Sequence, residues 1–104
     1  MNENVIFIYR SNGNYLGFIS DGNFFSRDGV YWGWVEGDLV WHSTGKYAGE
    51  LKEISGHIYI IRNMYRLQPI PKSPKKFPDI PTIPDTPRNI RAVNLPIGYQ
   101  DAFI

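Results

Sequence analysis

The stretch Tyr9-Arg10-Ser11-Asn12-Gly13-Asn14-Tyr15-Leu16-Gly17-Phe18-Ile19 returns sixteen residues later as Phe25-Ser26-Arg27-Asp28-Gly29-Val30-Tyr31-Trp32-Gly33-Trp34-Val35. A third copy runs from Trp41 to Leu51 in the same register. Six columns keep this step: the turn dipeptides Asn12-Gly13, Asp28-Gly29 and Thr44-Gly45; Gly17, Gly33 and Gly49; Tyr15, Tyr31 and Tyr47; Tyr9, Phe25 and Trp41; Ile8, Phe24 and Val40; and Ile19, Val35 and Leu51. A fixed internal period decides architecture before any single element is assigned. Two residues inserted around Ser55-Gly56 bring a fourth copy into line, with Ile58, Tyr59 and Tyr65 in their columns, Arg62-Asn63 at the turn and Leu67 where the other copies have glycine.

Each unit reads as a β-hairpin, because Asn-Gly or Asp-Gly between two β-rich runs suits a two-residue type I′ turn. Asp21-Gly22, Gly37-Asp38 and Ser55-Gly56 supply turn chemistry between units. The expectation is eight strands in four hairpins, closed on themselves so that no strand edge is left unpaired. Two-residue turns pair Arg10 with Tyr15, Tyr9 with Leu16 and Ile8 with Gly17, and paired residues share a face. One face then carries Ile6, Ile8, Ile19, Phe24, Val35, Val40, Leu51, Ile58, Ile60 and Leu67, the expected core. Gly17, Gly33 and Gly49 share that face, where a missing side chain lets the hairpins crowd together.

The opposite face carries Phe7, Tyr9, Leu16, Phe18, Phe25, Trp32, Trp34, Trp41 and Tyr59, too many apolar groups to leave wet. All 8 prolines lie between Pro69 and Pro96, whereas 9 of the 10 glycines precede residue 68, so a boundary falls there. Residues 1–68 form the hairpin domain and residues 69–104 an extended Pro-rich tail. Pro71, Pro74, Pro78, Pro81, Pro84 and Pro87 recur nearly every third residue. That is the period of a polyproline II helix, which aromatic grooves receive at low entropic cost. The partner-binding residues are therefore Phe7, Tyr9, Phe18, Phe25, Trp32, Trp34 and Trp41, engaging this chain's own tail or another protein. Exchange of tails between two copies in a homo-oligomer stays open. The alternative is a carbohydrate or lipid-headgroup site in a mouth ringed by Tyr15, Tyr31, Tyr47 and Tyr65, since tyrosine offers both a ring and a hydroxyl.

Composition narrows the chemistry. The 104 residues hold no cysteine, which excludes disulfides and thiolate metal sites and favours a reducing, cytoplasmic setting. Lys+Arg number 11 against 10 Asp+Glu, and a net charge of +1 gives no field to steer the chain toward nucleic acid or anionic lipid. The run Val5-Ile6-Phe7-Ile8-Tyr9 is too short for a leader or a membrane span. His42 and His57 lack any metal-binding spacing, and the serines lack a nucleophile elbow. The acidic residues fall at turns and strand ends, where no two stand out as an acid and base pair. No catalytic, cofactor-binding or metal residues are assigned, and the chain reads as a non-enzymatic binding module.

The repeated run quoted above resembles the small bacterial proteins known as four-fold β-flower domains. The likeness covers about residues 5 to 68, and the tail resembles extensions carried by some members. It implies a shallow, pseudo-four-fold antiparallel barrel whose hairpins radiate like petals, and it implies no established activity or functional residues. A distant similarity to Tubby-like lipid-binding barrels suggests membrane lipid as a partner by analogy only.

Overall fold

In the computed structural model, residues 5–65, 67–79 and 81–103 are described. The chain is all-β, with no helix among these residues. Seven strands follow one another as an antiparallel meander: β1 (Val5–Tyr9), β2 (Tyr15–Ser20), β3 (Asn23–Ser26), β4 (Tyr31–Glu36), β5 (Leu39–His42), β6 (Tyr47–Ile54) and β7 (His57–Asn63). An odd number of up-and-down strands leaves the first and last pointing the same way, so closure has to be parallel. Ile8 pairs with Ile58 and Tyr9 with Tyr59 in that sense, closing the barrel. An additional strand, β8 (Tyr99–Asp101), pairs antiparallel with Ile61–Asn63 on the same edge of β7 that β1 occupies lower down.

The turns divide into two kinds, and the assignment differs from the one expected. At Arg10–Asn14, Ser26–Val30 and His42–Lys46 the loop holds three residues: the first residue's N–H donates to the fifth residue's carbonyl and the glycine N–H donates back to the first residue, at 2.8–2.9 Å throughout. Only the glycine is left-handed, with φ of +93°, +87° and +94°, which suits a type I turn followed by a glycine bulge. The two-residue turns with paired positive φ lie instead in the links, at Asp21-Gly22 and Ser55-Gly56.

The longer loops carry a consequence for the faces. Tyr9 pairs with Tyr15 while Ile8 pairs with Gly17, leaving Leu16 as an extra residue. Trp32 is skipped likewise between Phe25–Tyr31 and Phe24–Gly33, and Ala48 between Trp41–Tyr47 and Val40–Gly49. Each bulge reverses the alternation. Leu16 and Trp32, expected on the outer face, therefore join the interior, and the repeated tyrosines turn outward.

The interior cluster is Ile8, Leu16, Ile19, Phe24, Val40, Ala48 and Ile60, with Trp32, Val35, Leu51, Ile58, Ala102 and Phe103 packed against it. Ile6 at 41% and Leu67 at 93% exposure lie outside it, contrary to expectation. The column glycines serve close strand approach: a Cβ on Gly33 would lie 1.8 Å from the Trp41 carbonyl oxygen.

Among the described residues after β7, no return strand forms through Tyr65. Met64 donates instead to the Gly98 carbonyl at 2.6 Å. The fourth unit lacks the loop glycine and the column glycine, and Pro69 and Pro71 have no N–H for a ladder. The place beside the end of β7 is taken by β8, so the folded unit extends past residue 68. Asp101 fastens it across the seam, accepting from the Ser11 N–H at 2.9 Å and the Ser11 hydroxyl at 2.7 Å.

Candidate functional site

The outer face of the barrel is built from repeated ring pairs. Tyr9 meets Tyr15 with ring centroids 6.0 Å apart, Phe25 meets Tyr31 at 6.0 Å and Trp41 meets Tyr47 at 5.7 Å. Phe18 stacks on Phe25 at 5.4 Å, and Trp34 stacks on Trp41 at 6.4 Å. Of the seven residues expected to bind a partner, Tyr9, Phe18, Phe25, Trp34 and Trp41 are buried here, Phe7 is half-buried against the Tyr9 cluster, and Trp32 faces the interior.

Several described residues beyond 68 lie against these rings and the loops beside them. The Lys72 N–H donates to the Gly45 carbonyl at 2.8 Å, Phe77 meets Tyr31 at 5.2 Å, and Ile83 sits against Gly29. The Ile90 N–H donates to Gly13 at 2.8 Å and the Val93 N–H to Ser11 at 2.7 Å, while Asn89 accepts from the Tyr15 N–H at 3.0 Å. Ile90, Val93, Leu95 and Tyr99 pack onto the cluster of Tyr9, Tyr15, Tyr59 and Ile61. The chain thus passes the third, second and first hairpin loops in turn before β8.

The most polar contact lies over the two stacked tryptophans. The Lys72 ammonium stands 5.0 Å from the centre of the Trp41 ring, and the Lys75 ammonium 5.2 Å from that of Trp34. Cations are attracted to the faces of such rings. Glu36 collects the charges: it pairs with Lys72, lies 3.4 Å from the Lys75 ammonium and accepts from the Trp34 indole N–H at 2.7 Å. Trp34 and Glu36 are two apart on β4, so the pleat points both the same way. The Lys72 bond, then the indole bond, holds the Glu36 carboxyl down at about 2. Sequence reasoning passed over Glu36 as a strand-end acid; the signal was its i+2 position after a tryptophan on an aromatic face.

The repeated tyrosines do not ring a mouth. The bulges send Tyr15 and Tyr47 into two separate outer clusters, Tyr31 lies against Phe25 and Phe77, and Tyr65 is 78% exposed. The hydroxyls of Tyr15, Tyr31 and Tyr59 are buried without a hydrogen-bond partner among the described residues, and burial raises the pKa of each.

The barrel end carrying the hairpin loops instead opens on a cavity of about 440 Å³ lined by Arg10, Trp32, His42, Ser43, Thr44, Ala102 and Phe103. Phe103 enters it from the C-terminal segment, parallel to Trp32 at 5.8 Å and 4.7 Å from the His42 ring. Burial lowers the His42 pKa, and the positive charges of Arg62 and Lys46 lower it further. His57 lies elsewhere, edge-on to Tyr9 at 5.3 Å. Among the described residues no three histidine or acidic side chains stand close enough to hold a metal ion.

Comparison with known proteins agrees with this architecture. No curated protein and no solved structure matches the chain. A family model described as "4-fold beta flower protein" matches residues 1–95, taking in the barrel strands and most of the segment that crosses the rings. The internal period, the closed all-β barrel and this match together place the chain in the 4-fold β-flower family.

Proposed function

We propose that this chain is a non-enzymatic binding module whose outer aromatic face engages a proline-rich segment, its own or that of a protein partner. The observation that carries the reading is the clasp of Lys72 and Lys75, each directly after a proline, over Trp41 and Trp34 and tied to Glu36. Such a face binds through ring stacking and cation contacts with a chain that is already extended, so little ordering entropy opposes it. A module of this kind is switched by displacement: a partner's segment must outcompete the internal one, whose local concentration is set by a short tether.

The test uses the full chain with Lys72→Ala and Lys75→Ala together, titrated with a synthetic peptide of residues 68–79. The expected result is greater acrylamide quenching of the tryptophans in the variant, reversed by the peptide, with no response in the unaltered chain. Tryptophans that stay shielded in the variant, or that become accessible yet ignore the peptide, overturn the reading. Concentration-dependent dimers in the variant would identify a second copy as the source of the segment.

A further inference from the structure

We propose that the cavity at the loop end of the barrel is a binding site for a small ligand joining a phosphate group to a flat ring. This rests on residues separate from the aromatic face and its clasp. The cavity, at about 440 Å³, falls within the range of small-molecule sites.

Its polar lining is rich in hydrogen-bond donors. Arg10 from the first hairpin loop faces His42, Ser43 and Thr44 of the third, and no carboxylate pairs with Arg10 among the described residues. A guanidinium fork with two neighbouring hydroxyls and an imidazole matches the several acceptor oxygens of a phosphate. The third loop is fixed in place, since the Ser43 N–H donates to the Trp32 carbonyl at 2.8 Å. The apolar wall is the parallel pair Trp32 and Phe103, whose stack a planar ring extends.

The surrounding charge favours an anion. Lys46 of the same loop and Arg62 of β7 reach His42 from an adjoining cavity that also holds Tyr47 and Pro71. Asp101 of β8, next to the lining residue Ala102, has both carboxylate oxygens on Ser11. The groups acting on His42 are thus Lys46, Arg62 and the Phe103 ring, with Arg10 across the cavity. Burial first, then the charges of Arg62 and Lys46, disfavours the imidazolium, and a bound phosphate acts in the opposite sense.

The experiment follows the imidazole proton resonances by NMR, with His57 as internal reference, and adds adenosine monophosphate, inorganic phosphate or adenosine to the full chain. Adenosine monophosphate is expected to shift the His42 resonances alone and to raise its pKa. Binding should be at least about tenfold weaker for phosphate or adenosine alone, and for Arg10→Ala, with Arg10→Lys between. A spectrum unmoved by all three probes, adenosine binding as well as the monophosphate, or full binding by Arg10→Ala each overturns the proposal. Vesicles of phosphatidylcholine with a phosphorylated inositol lipid separate the sources. Sedimentation with them that requires Arg10 assigns the phosphate to a headgroup and overturns the ring half; absence of sedimentation alongside nucleotide binding assigns a soluble ligand.

Discussion

Replacing Gly33 by alanine tests the close strand approach on which the barrel depends. A Cβ at this position would stand 1.8 Å from the Trp41 carbonyl oxygen and 2.9 Å from its carbon, both main-chain atoms of β5. A tolerable carbon-to-oxygen contact is about 3.3 Å, so β5 must retreat by about 1.5 Å. Gly33 faces His42 in the β4–β5 ladder and Trp34 faces Trp41, so the retreat stretches the hydrogen bonds nearest the substitution beyond useful length. Two lost ladder bonds at about 1 kcal/mol each, with about 1–3 kcal/mol of overpacking, give a cost of about 3–5 kcal/mol. That is a large share of the roughly 5–15 kcal/mol that holds a domain of this size. Urea unfolding followed by tryptophan fluorescence should show the midpoint falling by roughly 2 M. Gly22→Ala is the control, because it makes the same change in the unfolded chain at a site with nothing within 4 Å and a φ of +78°. Its cost should stay near 1 kcal/mol, the strain of a left-handed alanine. Equal stability of the two variants would refute the close-approach argument. Gly17→Ala and Gly49→Ala, with clearances of 2.2 and 2.5 Å from carbonyl oxygens, should rank below Gly33→Ala in that order.

Asp101→Ala removes both acceptors for Ser11 and should release β8, at a cost of about 1.5–3 kcal/mol for a charge-assisted pair. Hydrogen exchange should then quicken at Met64, whose N–H donates to Gly98, and at Ala102, whose N–H donates to Ile60 at 3.0 Å, while exchange in β4 and β5 stays unchanged. Acid should act on the Glu36 clasp late. Its folded-state pKa of about 2 lies below the ordinary 4.5, so its contribution is complete above 4.5 and is lost only as pH falls toward 2. Acrylamide access to the tryptophans should therefore rise between pH 4.5 and 2 in the unaltered chain, and Glu36→Gln should flatten that rise.

The sixteen-residue period made the β class and the hairpin order legible, because turn glycines and alternating apolar residues act locally. The inward positions of Ile8, Ile19, Phe24, Val40 and Ile60 followed from the same alternation. The alternation failed beyond each loop for one reason. A two-residue and a three-residue loop look alike around Asn12-Gly13, yet they place Tyr15 on opposite faces. The outward placing of Leu16 and Trp32 and the inward placing of Tyr15, Tyr31 and Tyr47 descend from that one-residue ambiguity, whereas Tyr65 departs because the fourth unit has no return strand. Asp21-Gly22 carried the same dipeptide as Asp28-Gly29 and took the type I′ form, so the dipeptide alone did not discriminate. Contacts such as Asp101 with Ser11, Phe103 with Trp32, or Lys72 with Glu36 join residues far apart in sequence, and no local pattern encodes them.

The departures of the fourth unit and the path of the C-terminal segment have a common physical origin. Three units carry a loop glycine and a column glycine, and in each the return strand crosses close to the next strand's carbonyl. The fourth has Leu67 at the column, which could not pass so near, and prolines soon after that offer no ladder donors. The upper edge of β7 would then stay open, a template for association. Gly98 restores what was lost: at a φ of +90° it turns the chain so that Tyr99 donates to Pro96 at 3.1 Å and β8 enters antiparallel to β7. Met64 and Tyr65 already stand beside Gly98, yet the intervening chain travels past the third, second and first hairpin loops before it returns there. That path covers the outer ring pairs, each of which needs cover from water. The substitution pattern of the last repeat thus accounts for the borrowed strand, and the rings' need for cover for the path that leads to it, so restoring glycine at Leu67 would not by itself free that face while Gly98 and Asp101 remain.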